Sequence, residues 1–137
     1  MKLTPSQIDF NNRAIYPKSN RHTTKGQWVT FYNKEAENLL KELEPRKDSG
    51  KEIFDFVPRT LTRDMRKTSK KEGIMKITPQ VLRIWFCNEM NDLGVADRYI
   101  DAFCGRVPKS VLAKHYTDFT PNRLKEIYDK ADIEVIV

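Results

Sequence analysis

The sequence has few of the residues on which several classes of protein depend. Its 137 residues include two cysteines and two histidines, too few for a disulfide framework and without the spacing of a metal site. No apolar run is long enough to cross a bilayer, and the N-terminal segment does not resemble a signal peptide. These absences favour an intracellular protein whose cysteines form no metal site and which has no membrane-spanning segment. Cys87 and Cys104 lie in apolar stretches, so we interpret both as small buried side chains in a reduced protein.

Positive charge is what the sequence has in excess. It contains 25 Lys and Arg residues against 19 Asp and Glu, a formal net charge of +6. A lysine or arginine that meets a phosphate releases condensed counterions, so this balance favours a nucleic-acid partner. The alternative is a basic surface that faces only solvent.

The length and the apolar periodicity predict one domain over residues 1–137, of the α+β class and mostly α. Two β-branched and aromatic segments, 13–18 and 27–32, flank a polar turn and predict a basic antiparallel hairpin. Helices are predicted over 34–46, 59–72, from Thr78-Pro79 to about Asn91, over about 96–104 and 109–117, and from Thr120-Pro121 onward. Residues 133–137 predict a short final strand.

Each of three predicted helices carries an apolar stripe that we expect to face the core. The stripes are Ala36, Leu39, Leu40 and Leu43; Leu82, Trp85, Phe86 and Met90; and Leu124, Ile127, Tyr128 and Ala131. Gly73 and Gly94 are expected to end the second and third helices. Trp28 is also interpreted as a core residue.

The second half of the chain offers residues suited to breaking and rejoining a phosphodiester without a metal. This chemistry needs a nucleophile, cations that neutralise the charge developing on phosphorus, and an acid for the leaving oxygen. Tyr116 can be the nucleophile, with Arg83 and Arg106 as the cations. Gln80 lies three residues before Arg83, on the same helical face. Alternatively, Tyr116 packs against its neighbours and the arginines face solvent.

Three segments, taken in order, resemble the tyrosine recombinase family of DNA integrases. Residues 78–86 (TPQVLRIWF) resemble the box around the family's second catalytic arginine. Residues 93–106 resemble the stretch that leads into its Gly-His turn, and 110–116 (SVLAKHY) the segment that delivers the nucleophile. Residues 8–10, with the basic hairpin, resemble the catalytic-domain sheet more weakly. The similarity looks closest to archaeal viral integrases of the fusellovirus type.

The resemblance implies a small antiparallel sheet followed by a helical bundle. It also implies integration of a viral genome in the host cytoplasm, by site-specific DNA recombination through a 3′-phosphotyrosyl intermediate. The implied partners are a double-stranded DNA attachment site and further copies of the chain on that DNA, with no metal, no small-molecule cofactor and no membrane partner.

Carried over residue by residue, the resemblance makes Tyr116 the nucleophile and Arg83 the second clamp arginine. Arg106 stands where the family usually has His or Trp, and it can still donate hydrogen bonds to a phosphate. Gln80 stands where the family has His or Lys, and an amide cannot shuttle a proton. For the acid on the hairpin we favour Lys18, with Lys25 as the competitor.

One family feature has no counterpart in this sequence. The first catalytic arginine of the family lies on a helix upstream of the Ile8-Asp9 segment, and the chain begins just before that segment. Arg13 follows it on the strand side, so we do not accept Arg13 as a substitute. The resemblance therefore implies an N-terminally truncated catalytic domain. The alternative function is a catalytically impaired integrase fragment that only binds DNA or another subunit.

Further basic residues are expected to contact DNA. They are Arg21 on the hairpin, Arg59 and Arg63 on the helix over 59–72, and Lys109 before the nucleophile. A helix that merely faces solvent is the alternative for 59–72. His115 is interpreted as structural or DNA-facing, because neighbouring helical residues point about 100° apart. The apolar segment 133–137 is the candidate for exchange between subunits.

Overall fold

The computed structural model describes residues 3–16, 29–42, 53–54, 57–106 and 115–135. In these ranges the chain is mostly helical with a small antiparallel sheet, which confirms the predicted α+β class. The helices in chain order are α1 Lys34–Glu42, α2 Pro58–Lys71, α3 Pro79–Asp92, α4 Asp97–Phe103 and α5 Pro121–Ala131. No helix in the described ranges is both long enough and apolar enough to cross a membrane.

The sheet has three short strands, β1 Ile8–Asp9, β2 Ala14–Ile15 and β3 Thr30–Phe31. Strand β2 lies in the centre and pairs antiparallel with both neighbours. The predicted pairing of the two hairpin segments is therefore confirmed where they are described, and residues 17–28, with Trp28, lie outside the described residues. The turn after β1 is closed by the Asp9 carboxylate. It accepts hydrogen bonds from Asn12 and from the Asn11 backbone, which lower the Asp9 pKa.

Most helix boundaries follow the predicted capping residues. The Thr78 hydroxyl accepts a hydrogen bond from the Val81 backbone N–H at 3.2 Å, which caps α3. Gly73 and Gly94 follow α2 and α3 with φ values of +64° and +80°, a region that glycine adopts without strain. Helix α5 starts at Pro121 as predicted, but Thr120 makes no side-chain cap. Its backbone N–H donates to the Asp118 carboxylate at 2.8 Å.

The core lies where the sheet meets α3, α4 and α5. Phe31, Phe103 and Tyr128 form an aromatic cluster with ring centroids 5.5–6.1 Å apart. Met90 and Leu124 are completely buried beside it. Burial raises the pKa of the Tyr128 phenol to about 12, because an apolar surrounding disfavours the phenolate.

Two leucines predicted to be buried are exposed. Leu39 on α1 is 63% exposed and Leu82 on α3 is 46% exposed. On α1 the partly buried side carries Ala36 and Leu40, and Leu39 points about 100° away from Leu40. On α3 the completely buried residue is Met90, near the opposite end from Leu82. The first turns of α3 therefore extend beyond the core.

The predicted final strand is wrong over the described residues 133–135, which form no strand. The Ile133 carbonyl accepts a hydrogen bond from the Asn33 amide, and the Val135 N–H donates to Glu35. Side chains at the start of α1 thus take the bonds that a neighbouring strand would supply. Ile133 is buried in the chain's own core, so it is not an exposed apolar anchor for a second subunit.

Candidate active site

Arg83 and Gln80 lie on the exposed first turns of α3. The Thr78 cap and Pro79 fix where this helix begins. Because Gln80 and Arg83 are three residues apart, their side chains lie on one face of the helix. Both are exposed, and neither makes a hydrogen bond or ion pair to another described side chain. Arg83 also lines a cleft of about 380 Å³ that reaches Phe86 and Cys104. Its guanidinium is therefore accessible to a ligand.

Arg106 lies in the turn that follows α4, after Gly105 with φ +71°. Its backbone N–H donates to the Asp101 carbonyl at 2.8 Å. Its guanidinium donates to the Asp101 carboxylate at 3.1 Å, and this hydrogen bond raises the Arg106 pKa. Both side chains are about half exposed, so the pair is worth about 0–1 kcal/mol.

Arg83 and Arg106 lie on two segments that meet at the contact between Cys87 and Cys104. The two sulfur atoms are 3.6 Å apart, Arg83 lies about one helical turn before Cys87, and Arg106 follows Cys104 by two residues. Burial raises the pKa of Cys104 to about 11, and the charges of Arg83 and Arg106 both oppose that rise. Both arginines therefore lie near the corner where α3 meets the end of α4.

Tyr116 is not joined to this pair of arginines. Its side chain is 79% exposed, and no hydrogen bond or ring contact links it to Arg83 or Arg106 among the described residues. His115, just before it, is also exposed. Arg83 and Arg106 thus lie on segments that meet, with Gln80 on the same helical face as Arg83, whereas the Tyr116 side chain is exposed to solvent.

Four predicted site residues lie outside the described residues. They are Lys18, Arg21 and Lys25 on the hairpin and Lys109 before Tyr116. Arg13, which we did not accept as a clamp residue, has another role in the structure. Its guanidinium donates to the Asp129 carboxylate at 2.7 Å, and its carbonyl accepts from the Tyr32 N–H. It ties the sheet to α5.

Helix α2 presents a basic face along an open groove of about 580 Å³. The groove is lined by Arg59, Thr62, Arg63, Arg66, Lys67 and Lys70. Spacings of three, four, seven, eight and eleven residues from Arg59 put all of them on one side of a helix. Among the described residues, the only carboxylate that pairs with these cations is Asp64, 3.4 Å from Arg63. Most of this charge is therefore uncompensated within the described chain.

The end of α2 is held in place by one buried side chain. The Ser69 hydroxyl donates to the Met65 carbonyl at 2.8 Å and accepts from the Ile77 N–H at 3.1 Å. Ser69 is only 2% exposed. It therefore fixes the segment that connects the basic helix to α3.

One contact in the structure has no signal in the sequence, whereas the basic helix does have one. The sequence predicts a basic helix over 59–72 that is a candidate for phosphate contacts, with Arg59 and Arg63 as its named DNA-contacting residues, and Arg66, Lys67 and Lys70 line the same groove. Cys87 and Cys104 were interpreted as separate buried residues. Their sulfur atoms lie 3.6 Å apart, and both side chains are partly exposed. Because they are 17 residues apart in the chain, no local pattern could indicate this contact.

Comparison with known proteins assigns the family. No curated protein and no solved structure matches the chain. Within the described residues, no three histidine, cysteine or carboxylate side chains cluster as a metal site would require. The sequence profile of the archaeal phage integrases matches residues 4–132, nearly the whole chain. The chain therefore belongs to the archaeal phage integrase family, whose name indicates DNA integration and site-specific recombination.

Proposed function

We propose that residues 1–137 form the catalytic portion of a tyrosine-type integrase that cleaves and rejoins DNA at a specific site. The observation that carries this proposal is the 3.6 Å contact between the sulfurs of Cys87 and Cys104. It brings together the two segments that carry Arg83 and Arg106, in a chain of the archaeal phage integrase family. Two guanidinium groups at one corner suit the non-bridging oxygens of a phosphate, because each offers a planar fork of donors.

Tyr116 supplies the nucleophile in this proposal. A bond forms between the Tyr116 hydroxyl oxygen and phosphorus, the phenol proton passes to solvent, and the bond from phosphorus to the 5′ oxygen breaks. The products are a 3′-phosphotyrosyl link and a free 5′ hydroxyl, and rejoining reverses the step. A lysine of the hairpin, Lys18 or Lys25, gives the leaving oxygen its proton. The 79% exposure of Tyr116 supports this role, since a DNA strand can reach the phenol without unfolding the chain.

Arg83 and Arg106 hold the phosphate during the transfer. Arg83 has no partner among the described side chains and is available at once. Arg106 gives up its ion pair with Asp101 when it binds the phosphate, and breaking such an exposed ion pair costs about 0–1 kcal/mol. Gln80, on the same face as Arg83, donates one hydrogen bond but carries no proton in the reaction.

The basic groove of α2 tracks the DNA backbone in this proposal. Phosphate contacts position a protein on a duplex without reading its sequence, and the uncompensated cations of the groove suit this task. We expect double-stranded DNA to be the partner and several copies of the chain to act together on it. Sedimentation of the chain with and without duplex DNA tests the second expectation.

Covalent capture tests the proposed reaction. The probe is a library of nicked duplexes with a randomised core, in which loss of a short fragment past the nick traps the cleaved strand. We expect a protein–DNA adduct that survives denaturing electrophoresis and disappears in Tyr116→Phe. Tyr99→Phe is the control, since Tyr99 packs against Phe119. An adduct that persists in Tyr116→Phe would contradict the assignment of the nucleophile.

A second function, a module that binds DNA without cleaving it, is favoured by one observation. In the described chain Tyr116 contacts neither arginine, and Arg106 is held by Asp101. Absence of any adduct, together with retention of duplex DNA that depends on the α2 groove, would support this alternative.

A further inference from the structure

The contact between Cys87 and Cys104 is not explained by the proposed reaction. Cys87 lies on the last half of α3, and Cys104 directly follows α4. Their sulfur atoms are 3.6 Å apart, close to van der Waals contact. Two thiols at this distance can form a bond after a small movement of side chains, because disulfide geometry mainly requires close and suitably directed Cβ atoms.

We propose that Cys87 and Cys104 form a reversible disulfide that joins α3 to the end of α4. A small-molecule disulfide is the oxidant. One cysteine thiolate attacks it, forming a mixed disulfide and releasing one small thiol. The second cysteine then attacks the protein sulfur of that mixed disulfide and displaces the other small thiol. Two cysteine thiols are thus oxidised, one small disulfide is reduced, and the two protons leave on the small thiols.

The surroundings of the pair permit this exchange. Both side chains are partly exposed, so a small disulfide has access to them. The pKa of Cys104, about 11, keeps its thiol protonated at neutral pH, which slows the exchange since only a thiolate attacks. Burial and the neighbouring Cys87 raise this pKa, whereas Arg83 and Arg106 lower it. The proposed bond is therefore formed slowly and removed by a reducing thiol.

The position of the bond gives it a consequence for the arginine corner. Arg83 lies one helical turn before Cys87, and Arg106 follows Cys104 by two residues. A bond between the sulfurs would tie together the two backbone segments that carry these arginines. The proposal itself rests on the sulfur contact and does not depend on the proposed recombination.

Oxidation of the purified chain with glutathione disulfide tests the proposal without DNA. The chain is equilibrated with the oxidant, alkylated, and analysed by intact mass and by mapping of disulfide-linked peptides. We expect no alkylation, a mass lower by two hydrogen atoms, and one peptide pair that joins Cys87 to Cys104. Two alkylated cysteines, or a separate glutathione on each, would refute the bond.

Thermal unfolding provides a second measurement with matched controls. Cys87 and Cys104 are 17 residues apart. A crosslink that closes a loop of this size should raise Tm by roughly 10 °C in a domain of this length. We expect the shift in the wild-type chain, its reversal by dithiothreitol, and its absence in Cys87→Ala and in Cys104→Ala. An equal Tm for oxidised and reduced wild type would overturn the proposal. The peptide map decides the case even if a variant fails to fold, because it needs only the wild type.

Discussion

Lys70 and Lys71 provide a matched test of whether the α2 groove meets phosphates. They are neighbours of the same type on one helix, but Lys70 lines the groove whereas Lys71 does not. The Lys71 side chain points about 100° away from that of Lys70, and its Nζ lies 3.8 Å from the Glu72 carboxylate. Replacing either by alanine removes the same charge and changes helix propensity equally. Any difference in DNA binding therefore reports the position of the charge.

The magnitude follows from counterion release. Each lost phosphate contact lowers the slope of log K against log salt by about 0.9 for duplex DNA. Lys70→Ala should therefore reduce the slope by about 0.9, and Lys71→Ala should leave it unchanged. The triple replacement of Arg66, Lys67 and Lys70 by alanine should reduce it by about 2.7, three times the single value.

Fluorescence anisotropy with a labelled duplex of arbitrary sequence measures these slopes between 50 and 200 mM salt, the range in which phosphate contacts show their effect. Circular dichroism of each variant verifies that α2 remains helical. Equal slopes for Lys70→Ala and Lys71→Ala would refute the reasoning, because they would show that net charge and not the groove governs binding.

Three further predictions concern stability. Leu124→Ala should lower the free energy of unfolding in urea by about 2–5 kcal/mol, because Leu124 is completely buried. Leu39→Ala, at a leucine that is 63% exposed, should lower it far less. Equal losses for the two variants would contradict the described core. Thr78→Ala should lower the free energy of unfolding by about 1 kcal/mol, because it removes the α3 cap. Thr120→Ala removes no helix cap, so urea unfolding of the two variants should show a smaller loss for Thr120→Ala. The pKa of Tyr128 rises from 10.0 to about 12 on folding, so its stabilising effect is complete below pH 10 and is lost as pH rises through about 12. Tyr128→Phe should flatten that decline in alkaline unfolding curves, and an unchanged decline would contradict it.

The parts of the fold that sequence predicts well are those decided by local chemistry. Thr78 and Pro79 start α3, and Gly94 follows its end, because capping and positive φ depend on a few adjacent residues. The paired strands also follow from β-branched and aromatic residues around a polar turn. Thr120 shows the limit of this reasoning. The same Thr-Pro signal starts a helix there, but the Thr120 side chain makes no cap, and its backbone N–H donates to the Asp118 carboxylate.

Sequence-based prediction fails where the structure of a segment depends on its contacts with distant segments of the chain. The tail from Ile133 has the composition of a strand, yet Asn33 and Glu35, about 100 residues earlier, take its backbone hydrogen bonds. The Cys87–Cys104 contact likewise depends on how α4 packs on α3. Periodicity within one helix contains no information about either outcome.

The exposure of Leu82 and the availability of Arg83 have the same physical cause. A helix whose apolar stripe were buried along its full length would hold the backbone of Arg83 close to the core. In α3 the completely buried residue, Met90, lies near the C-terminal end, and the first turns extend into solvent. The incorrectly predicted leucine thus marks the segment of α3 that can meet a ligand. The phosphate contact that we propose for Arg83 requires such a projecting segment, because a guanidinium without a protein partner is stable only where water can solvate it.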